Sequence, residues 1–400
     1  MEPSADVVVV GAGTVGAWCA YFLRQSGAGR VTVIDKRQAG QGASARAAGV
    51  VRGQGGTPTA VRLAQWTQAF YLRQMDEIGT DSGFTPQGYF MPCFSEPEIE
   101  AAQQRLAMQR ELGLDVRWLG PDEAAALNPT MARGTHLGGT FCPDDGWLTP
   151  TRNVSAYLVA LATSGVRIDE GVTFTGLDRG PDGGLRGVLT SEGPIRTDRL
   201  VLTGGPELGE VGACAGARVP AGRARHQVAV TAPHPDLDPA RMPMVFDLPS
   251  GLYWRPEEKG LLFGMSNPEE LPGPATSIDL SYLDRMRERL AQLVPVTRGL
   301  GLRRVWAATI DYTPDHLPIL GPALDADRVP VEGVTVASAA GHGMMWGPGV
   351  SRAAADIALT GTTDVVDATI LGLDRFDENG RSKLATDPIA LPFPETVPSA

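Results

Sequence analysis

Three glycines and a carboxylate carry the clearest chemical signal in this chain. Gly11, Gly13 and Gly16 form a G-x-G-x-x-G cluster, and Asp35 follows about 20 residues later. At that spacing the first glycine permits a tight turn, the second lets a pyrophosphate approach the backbone, and the third lets a helix pack close to a strand. Thr14 and Val15 lie inside the cluster, where helix N-terminal amides meet phosphate charge. A carboxylate at Asp35 accepts from a ribose hydroxyl and repels a 2′-phosphate, which disfavours NADP even with Lys36 and Arg37 adjacent. These residues point to a bound dinucleotide and leave NAD and FAD both open.

A small-residue segment comes next, Gly40 to Arg52, with Gly42, Ala43, Ser44, Ala47, Ala48 and Gly49 and the two arginines Arg46 and Arg52. Small side chains let a flat ring system lie against backbone. Other chemistries find no support. Gly42 to Arg46 does not spell G-x-S-x-G, so a hydrolase elbow is absent. The five histidines, His136, His226, His234, His316 and His342, show no metal-ligand spacing, so no metal site is expected. Asp144-Asp145 reads as a turn before Gly146 and not as a glycosidase pair.

The elements that must position these groups are legible in the apolar spacing. Val7 to Val10 reads as a strand buried on both faces. Val15, Trp18, Cys19, Phe22 and Leu23 give one helix stripe, which Gly27 can end, and Val31 to Ile34 forms the second strand. Helices are expected over Ala60–Ile78 and Glu98–Leu114, and strands over Val166–Phe174 and Leu200–Leu202. Gln227–Thr231, Gly251–Trp254 and Leu261–Phe263 read as an antiparallel group. Val334–Ser338 reads as a buried strand, followed by a Gly-rich turn and a helix that opens at Pro348 and runs to about Leu359. The Pro-rich tail from Thr386 is expected to be extended or disordered.

Composition fits an α/β chain. The 400 residues are 42% hydrophobic and 20% charged, with 49 glycines and 32 prolines. The net charge of −11, with no basic run, argues against nucleic acid or an anionic membrane as partner. Cys19, Cys93, Cys142 and Cys214 are far apart, which makes a reducing cytoplasm the simplest setting. A strand starting near Asp6 leaves no room for a signal peptide, and no apolar stretch is long enough to span a membrane.

Taken together, these motifs resemble the D-amino-acid oxidase superfamily of FAD enzymes, and within it the sarcosine oxidase and dimethylglycine dehydrogenase branch. The resemblance rests on Gly11–Gly16 with Asp35, on Gly42–Arg52, and on Tyr253-Trp254-Arg255-Pro256. Late in the chain it rests on Asp311–Ile319, Gly341–Gly349 and Leu373–Phe376. It implies FAD as cofactor and oxidation of an amine C–N bond, with oxygen or another electron acceptor taking the electrons. It also implies a Rossmann-type FAD-binding domain from 1–82, 147–220 and 322–400, and a mainly antiparallel-sheet substrate domain from 83–146 and 221–321.

By the same resemblance Val172 contacts adenine, and Gly204-Gly205 turns near the phosphates. Gly341, His342, Gly343, Met344 and Met345 belong to a late helix N-terminus that faces the flavin. Relatives that bind flavin covalently do so at the positions of Arg46 or Ala307, so non-covalent FAD is expected. Leu262 aligns with a lysine that helps sarcosine oxidases use oxygen, and Met345 with a lysine that holds substrate carboxylate. Arg52 matches the carboxylate-binding arginine. One cation beside Met344, Met345 and Trp346 implies a substrate larger or more apolar than sarcosine.

Tyr253 is expected to line the pocket as a hydrogen-bond donor or to be an ordinary strand aromatic. His342 is expected in the flavin neighbourhood, in amine deprotonation or in a structural role. A flavoprotein 2-hydroxy-acid dehydrogenase and a flavin-bearing subunit of a larger complex are the alternatives. The substrate and the oligomeric state are not legible in the sequence.

Overall fold

A computed structural model describes residues 3–181, 183–274 and 277–392. Its centre is a six-stranded sheet in the order Ile319–Leu324, Pro330–Ser338, Leu200–Leu202, Val7–Val10, Val31–Asp35 and Arg167–Glu170. Five of these strands are parallel, and Ile319–Leu324 adds an antiparallel edge. Val7–Val10 is buried on both faces, as four consecutive β-branched residues require in a covered parallel sheet. The helices Thr14–Gln25, Pro150–Ser164 and Gly343–Thr360 pack together on one face. Gly27 follows the first of these at φ 90°, in the left-handed conformation expected beyond a helix end.

The second sheet has eight strands, and the expected antiparallel group forms its middle. Gly222–Thr231 pairs with both Leu302–Tyr312 and Gly260–Met265, and Leu252–Glu257 follows. Met244–Asp247 then pairs in parallel with Tyr89–Pro92, the one parallel contact in this sheet. The helices expected near Ala60 and Glu98 span Pro58–Ile78 and Glu96–Glu111. Thr57 caps the former, its side chain accepting from the Ala60 amide at 3.2 Å, and Gly79 ends it at φ 77°.

Three sequence expectations are corrected. Val166–Phe174 is not one strand. Arg167–Glu170 joins the six-stranded sheet, Gly171 turns at φ 75°, and Phe174–Arg179 starts a separate three-stranded sheet. The late helix does not open at Pro348 but at Gly343, with His342 as its cap and Pro348 inside it. A proline there leaves the carbonyl four residues back without its helix donor. The Tyr71 hydroxyl donates to that carbonyl, on Met344, at 2.9 Å, and the Gly349 amide donates sideways to Thr67 Oγ1 at 3.1 Å. The neighbouring helix Pro58–Ile78 thus repairs the break. The tail from Thr386, finally, is packed as far as the described residues reach: Asp387 and Ile389 are buried. Residues 393–400 lie outside the described part.

Asp315 and Arg375 anchor the closing segment. The guanidinium donates to both carboxylate oxygens, at 2.7 Å and 3.0 Å, and both groups are buried. Burial alone would raise the Asp315 carboxyl, but hydrogen bonds and charge from Arg375, with help from Ser382, bring it below the ordinary range. Replacing Arg375 with methionine leaves a buried carboxylate without its partner. This change should lower unfolding stability by roughly 3–5 kcal/mol in urea titrations, and a loss under 1 kcal/mol would contradict the anchoring role.

Candidate active site

A cavity of about 940 Å³ runs from the C-terminal ends of the six-stranded sheet to the face of the eight-stranded one. That is the size of a small-molecule or cofactor site. At one end lie Gly11, Gly13, Thr14, Val15, Asp35 and Lys36. Gly16 is off the wall for a physical reason: a Cβ there would fall 1.8 Å from the Gly11 carbonyl oxygen, so it serves helix–strand packing. Gly11 itself, at φ 105°, leaves no room for a Cβ beside Thr203. Asp35 accepts the Ala12 and Arg37 amides at 2.8 Å each, one on each oxygen, which fixes the carboxylate. The Val172 amide donates to the Asp35 carbonyl at 2.9 Å, so the turn at Gly171 brings Val172 to the same end. Gly204 and Gly205 close the opposite side.

The middle of the cavity is backed by Gly42, Ala43, Ser44, Arg46, Ala47, Ala48 and Gly49. The first helix and the eight-stranded sheet hold this loop. Ser44 Oγ accepts from the Thr14 amide at 2.9 Å, while Trp306 Nε1 donates to the Arg46 carbonyl at 2.8 Å and Arg255 Nε to the Ala48 carbonyl at 2.9 Å. Ala307 lines the cavity beside them. Gly341, His342, Gly343, Met344 and Met345 line it from the late helix N-terminus. Asp311 sets that turn, accepting from Ser338 Oγ at 2.7 Å, and Ala340 is held at φ 48°. His342 Nδ1 faces the Ala340 carbonyl at 2.8 Å; a carbonyl only accepts, so Nδ1 carries the proton and Nε2 keeps its lone pair. Burial, together with the nearby Arg52 guanidinium, pushes the imidazole down to about 3. His342 is neutral at physiological pH.

Arg52 sits at the far end, 2% exposed, with no ion-pair partner among the described residues. Its guanidinium lies 6.0 Å from the Tyr89 ring centroid and 5.8 Å from that of Phe246. Its Nη2 donates to the Ile389 carbonyl at 3.3 Å, and Nε has no hydrogen-bond partner among the described residues. The backbone beyond it is clamped: the Asp145 carboxylate accepts the Gly53 and Gln54 amides, at 2.6 Å and 3.3 Å. Tyr253 also lines the cavity, and its hydroxyl lies 2.7 Å from His226 Nε2. Burial pushes His226 down to about 4 and the Tyr253 phenol up, so both are neutral. Leu262, by contrast, packs among Val228, Val230 and Tyr253 and is not on the wall.

Sequence reasoning missed Tyr89, Phe246, His226, Asp311, Ile389 and Leu391, all on the wall, and Asp145 behind it. Asp311 alone falls in a motif already noted, Asp311–Ile319; nothing local marks the others. They reach the cavity because strands of the second sheet and the closing segment fold over it.

The sequence matches the family described as DAO, FAD dependent oxidoreductase, over residues 6–357. It is 27% identical to 4-methylaminobutanoate oxidase (formaldehyde-forming) of Paenarthrobacter nicotinovorans, covering 94% of this chain but 46% of that protein. It is 25% identical to sarcosine oxidase subunit beta of Rhodobacter capsulatus, covering 93% of this chain and 89% of that one. The fold is similar to L-proline dehydrogenase from P. horikoshii, with a TM-score of 0.85, 23% identity, and 93% and 97% of the two chains covered. The chain spans less than half the length of the first curated relatives it matches. No described helix is long and apolar enough to cross a membrane.

The depressed imidazole of His226 makes a pH prediction. Between about pH 6.5 and 4 the unfolded chain takes up protons on histidine while the folded His226 stays neutral, so this group costs stability as pH falls. His226→Asn should therefore show a smaller loss of urea midpoint from pH 7 to pH 5 than the parent. Equal losses would mean that His226 is not held neutral.

Proposed function

The chain belongs to the DAO family of FAD-dependent oxidoreductases, and from that membership we propose that it oxidises the C–N bond of a secondary, N-methylated or primary amino acid to an imine, which water then hydrolyses. The observation that carries this reading is Arg52, a buried guanidinium on the cavity wall with no ion-pair partner within 4 Å among the described residues; the buried Asp387 carboxyl feels its charge without pairing with it. A buried charge without a partner is costly, and an anionic ligand group supplies the missing one.

The residues present fit the cofactor. The glycine turn cradles a pyrophosphate, Asp35 receives a ribose hydroxyl, and the small-residue loop leaves a flat face between the two sheets. Bound FAD would supply the hydride acceptor for the carbon beside the substrate nitrogen. The chain's own contributions are positional and electrostatic. Arg52 holds the carboxylate through parallel hydrogen bonds, which sets both distance and tilt. Tyr89 and Phe246 keep water from the guanidinium. With His226 Nε2 donating to its oxygen, the Tyr253 hydroxyl donates to the lone pair of the substrate nitrogen and favours the uncharged amine, the form from which hydride leaves. The late helix N-terminus directs positive potential into the cavity, where negative charge develops on reduction.

The absence of a histidine or cysteine at Arg46 and Ala307 supports non-covalent FAD. A relative named as a subunit supports a second reading, in which the chain is the flavin-bearing part of a larger assembly.

Three measurements test the proposal. Acid precipitation of the yellow protein should release all flavin into the supernatant; colour left on the pellet would contradict non-covalent binding. Anaerobic bleaching of the flavin by a panel of N-methyl amino acids, cyclic imino acids and 2-hydroxy acids identifies the substrate class, and bleaching by hydroxy acids alone would overturn amine oxidation. Arg52→Ala should lower kcat/KM for carboxylate substrates by about 30-fold or more at unchanged FAD content, and Arg52→Lys should recover part of it. An unchanged rate would remove Arg52 from substrate binding.

A further inference from the structure

The closing segment carries polar and Pro-rich sequence, yet it is built into the far end of the cavity. Ile389 is 1% exposed and packs with Tyr89, Met91, Phe246 and Tyr253. Leu391 packs toward Tyr312, and both Ile389 and Leu391 line the cavity. The backbone is tied down as well. The Asp387 amide donates to the Asp315 carbonyl at 3.1 Å, the Ala390 amide to the Asp387 carbonyl at 3.1 Å, and the Ile389 amide to Asp387 Oδ1 at 3.0 Å.

Two glycines make room for this path. A Cβ on Gly56 would lie 2.0 Å from Asp387 Oδ1, and one on Gly251 would lie 2.9 Å from Pro392. The segment therefore passes from Gly56 and Asp315 to Gly251. On the way the Ile389 carbonyl accepts from Arg52 Nη2 at 3.3 Å, while Arg52 Nε has no partner among the described residues.

We propose that Asp387–Pro392 is the outer wall of the substrate chamber, that the Ile389 side chain sets the size of substrate admitted, and that the Ile389 carbonyl holds the edge of Arg52 that a substrate carboxylate takes over. This rests on the reading of Arg52 as the carboxylate anchor. A bidentate carboxylate needs two N–H groups on one edge of a guanidinium. The Nε–Nη2 edge offers one free N–H and one held by a long, weak hydrogen bond to a neutral carbonyl, which a charged acceptor displaces. The alkyl part of the substrate then meets Ile389 on one side and the Tyr89 and Phe246 rings on the other. Trimming Ile389 enlarges the chamber without touching the charge that anchors the ligand.

The test uses the flavin-loaded protein and three carboxylates of rising bulk, acetate, pivalate and benzoate, titrated against the flavin absorbance spectrum. Ile389→Ala should shift the ratio of benzoate to acetate affinity upward by about tenfold or more, and Ile389→Phe should shift it the other way. Arg52→Ala should weaken all three together. Should Ile389→Ala fail to retain FAD, Ile389→Val gives the same comparison with one methyl group removed. An unchanged size ranking in the Ile389 variants overturns the wall while leaving Arg52 as anchor. Carboxylates that leave the parent spectrum unmoved overturn the anchor and the wall with it. Carboxylates that bind, in a protein whose flavin no amine bleaches, sink the proposed reaction and leave the wall standing.

Discussion

The backbone from Gly40 to Arg52 belongs to neither large sheet, and the first helix and the second sheet must both hold it. It begins against the first helix, where Ser44 Oγ takes the Thr14 amide, and it ends under the second sheet, where Asp145 takes the amides after Arg52. Between these points Trp306 and Arg255 of the second sheet donate to its carbonyls. A loop of small residues has little apolar surface of its own to bury, so its shape is set by hydrogen bonds from outside. The nucleotide end, the flat central face and the far-end cation therefore keep their spacing only while the two sheets stay in register.

Charge at the far end follows the same logic. A guanidinium buried beside two aromatic rings would be expelled from a loosely packed wall. Arg52 is retained because its neighbours leave it no exit. Gln54 Nε2 bonds both the Tyr89 carbonyl and Asp145, and Gln68 adds a further bond to Asp145 at 2.8 Å. Burial pushes the Asp145 carboxyl up, and these amides pull it back. The histidines on the wall are kept neutral by burial, so Arg52 has no competing cation beside it from that source. A chamber with a fixed guanidinium on its wall and aromatic sides results.

Structure at the late helix shows how packing overrules a local rule. Proline favours a first helical position, and the sequence places Pro348 where a helix could open. The helix begins five residues earlier because Tyr71 and Thr67 of a neighbouring helix satisfy the groups that proline disrupts. Gly347 and Gly349 serve close approach: a Cβ at either would lie 3.0 Å from Thr14 or from the Leu63 carbonyl. That tight packing is what brings the Gly343 end to the cavity.

The amino acid sequence by itself determined the glycine-turn end of the cavity. Gly11, Gly13, Gly16 and Asp35 act through backbone geometry and short-range spacing, which a strand, a turn and a helix express wherever they occur. The central strands, the antiparallel character of the second sheet and the placement of Arg52 were legible for similar reasons, through periodicity or through a motif already carrying them. Only the tertiary structure decided the far end. Tyr89, Phe246, His226 and Ile389 come from four separate places in the chain, and none is special in its own neighbourhood. Their convergence depends on which strands pair and on where the closing segment docks. The latter hangs on the buried pair Asp315 and Arg375, 60 residues apart, and no local pattern encodes a contact at that distance.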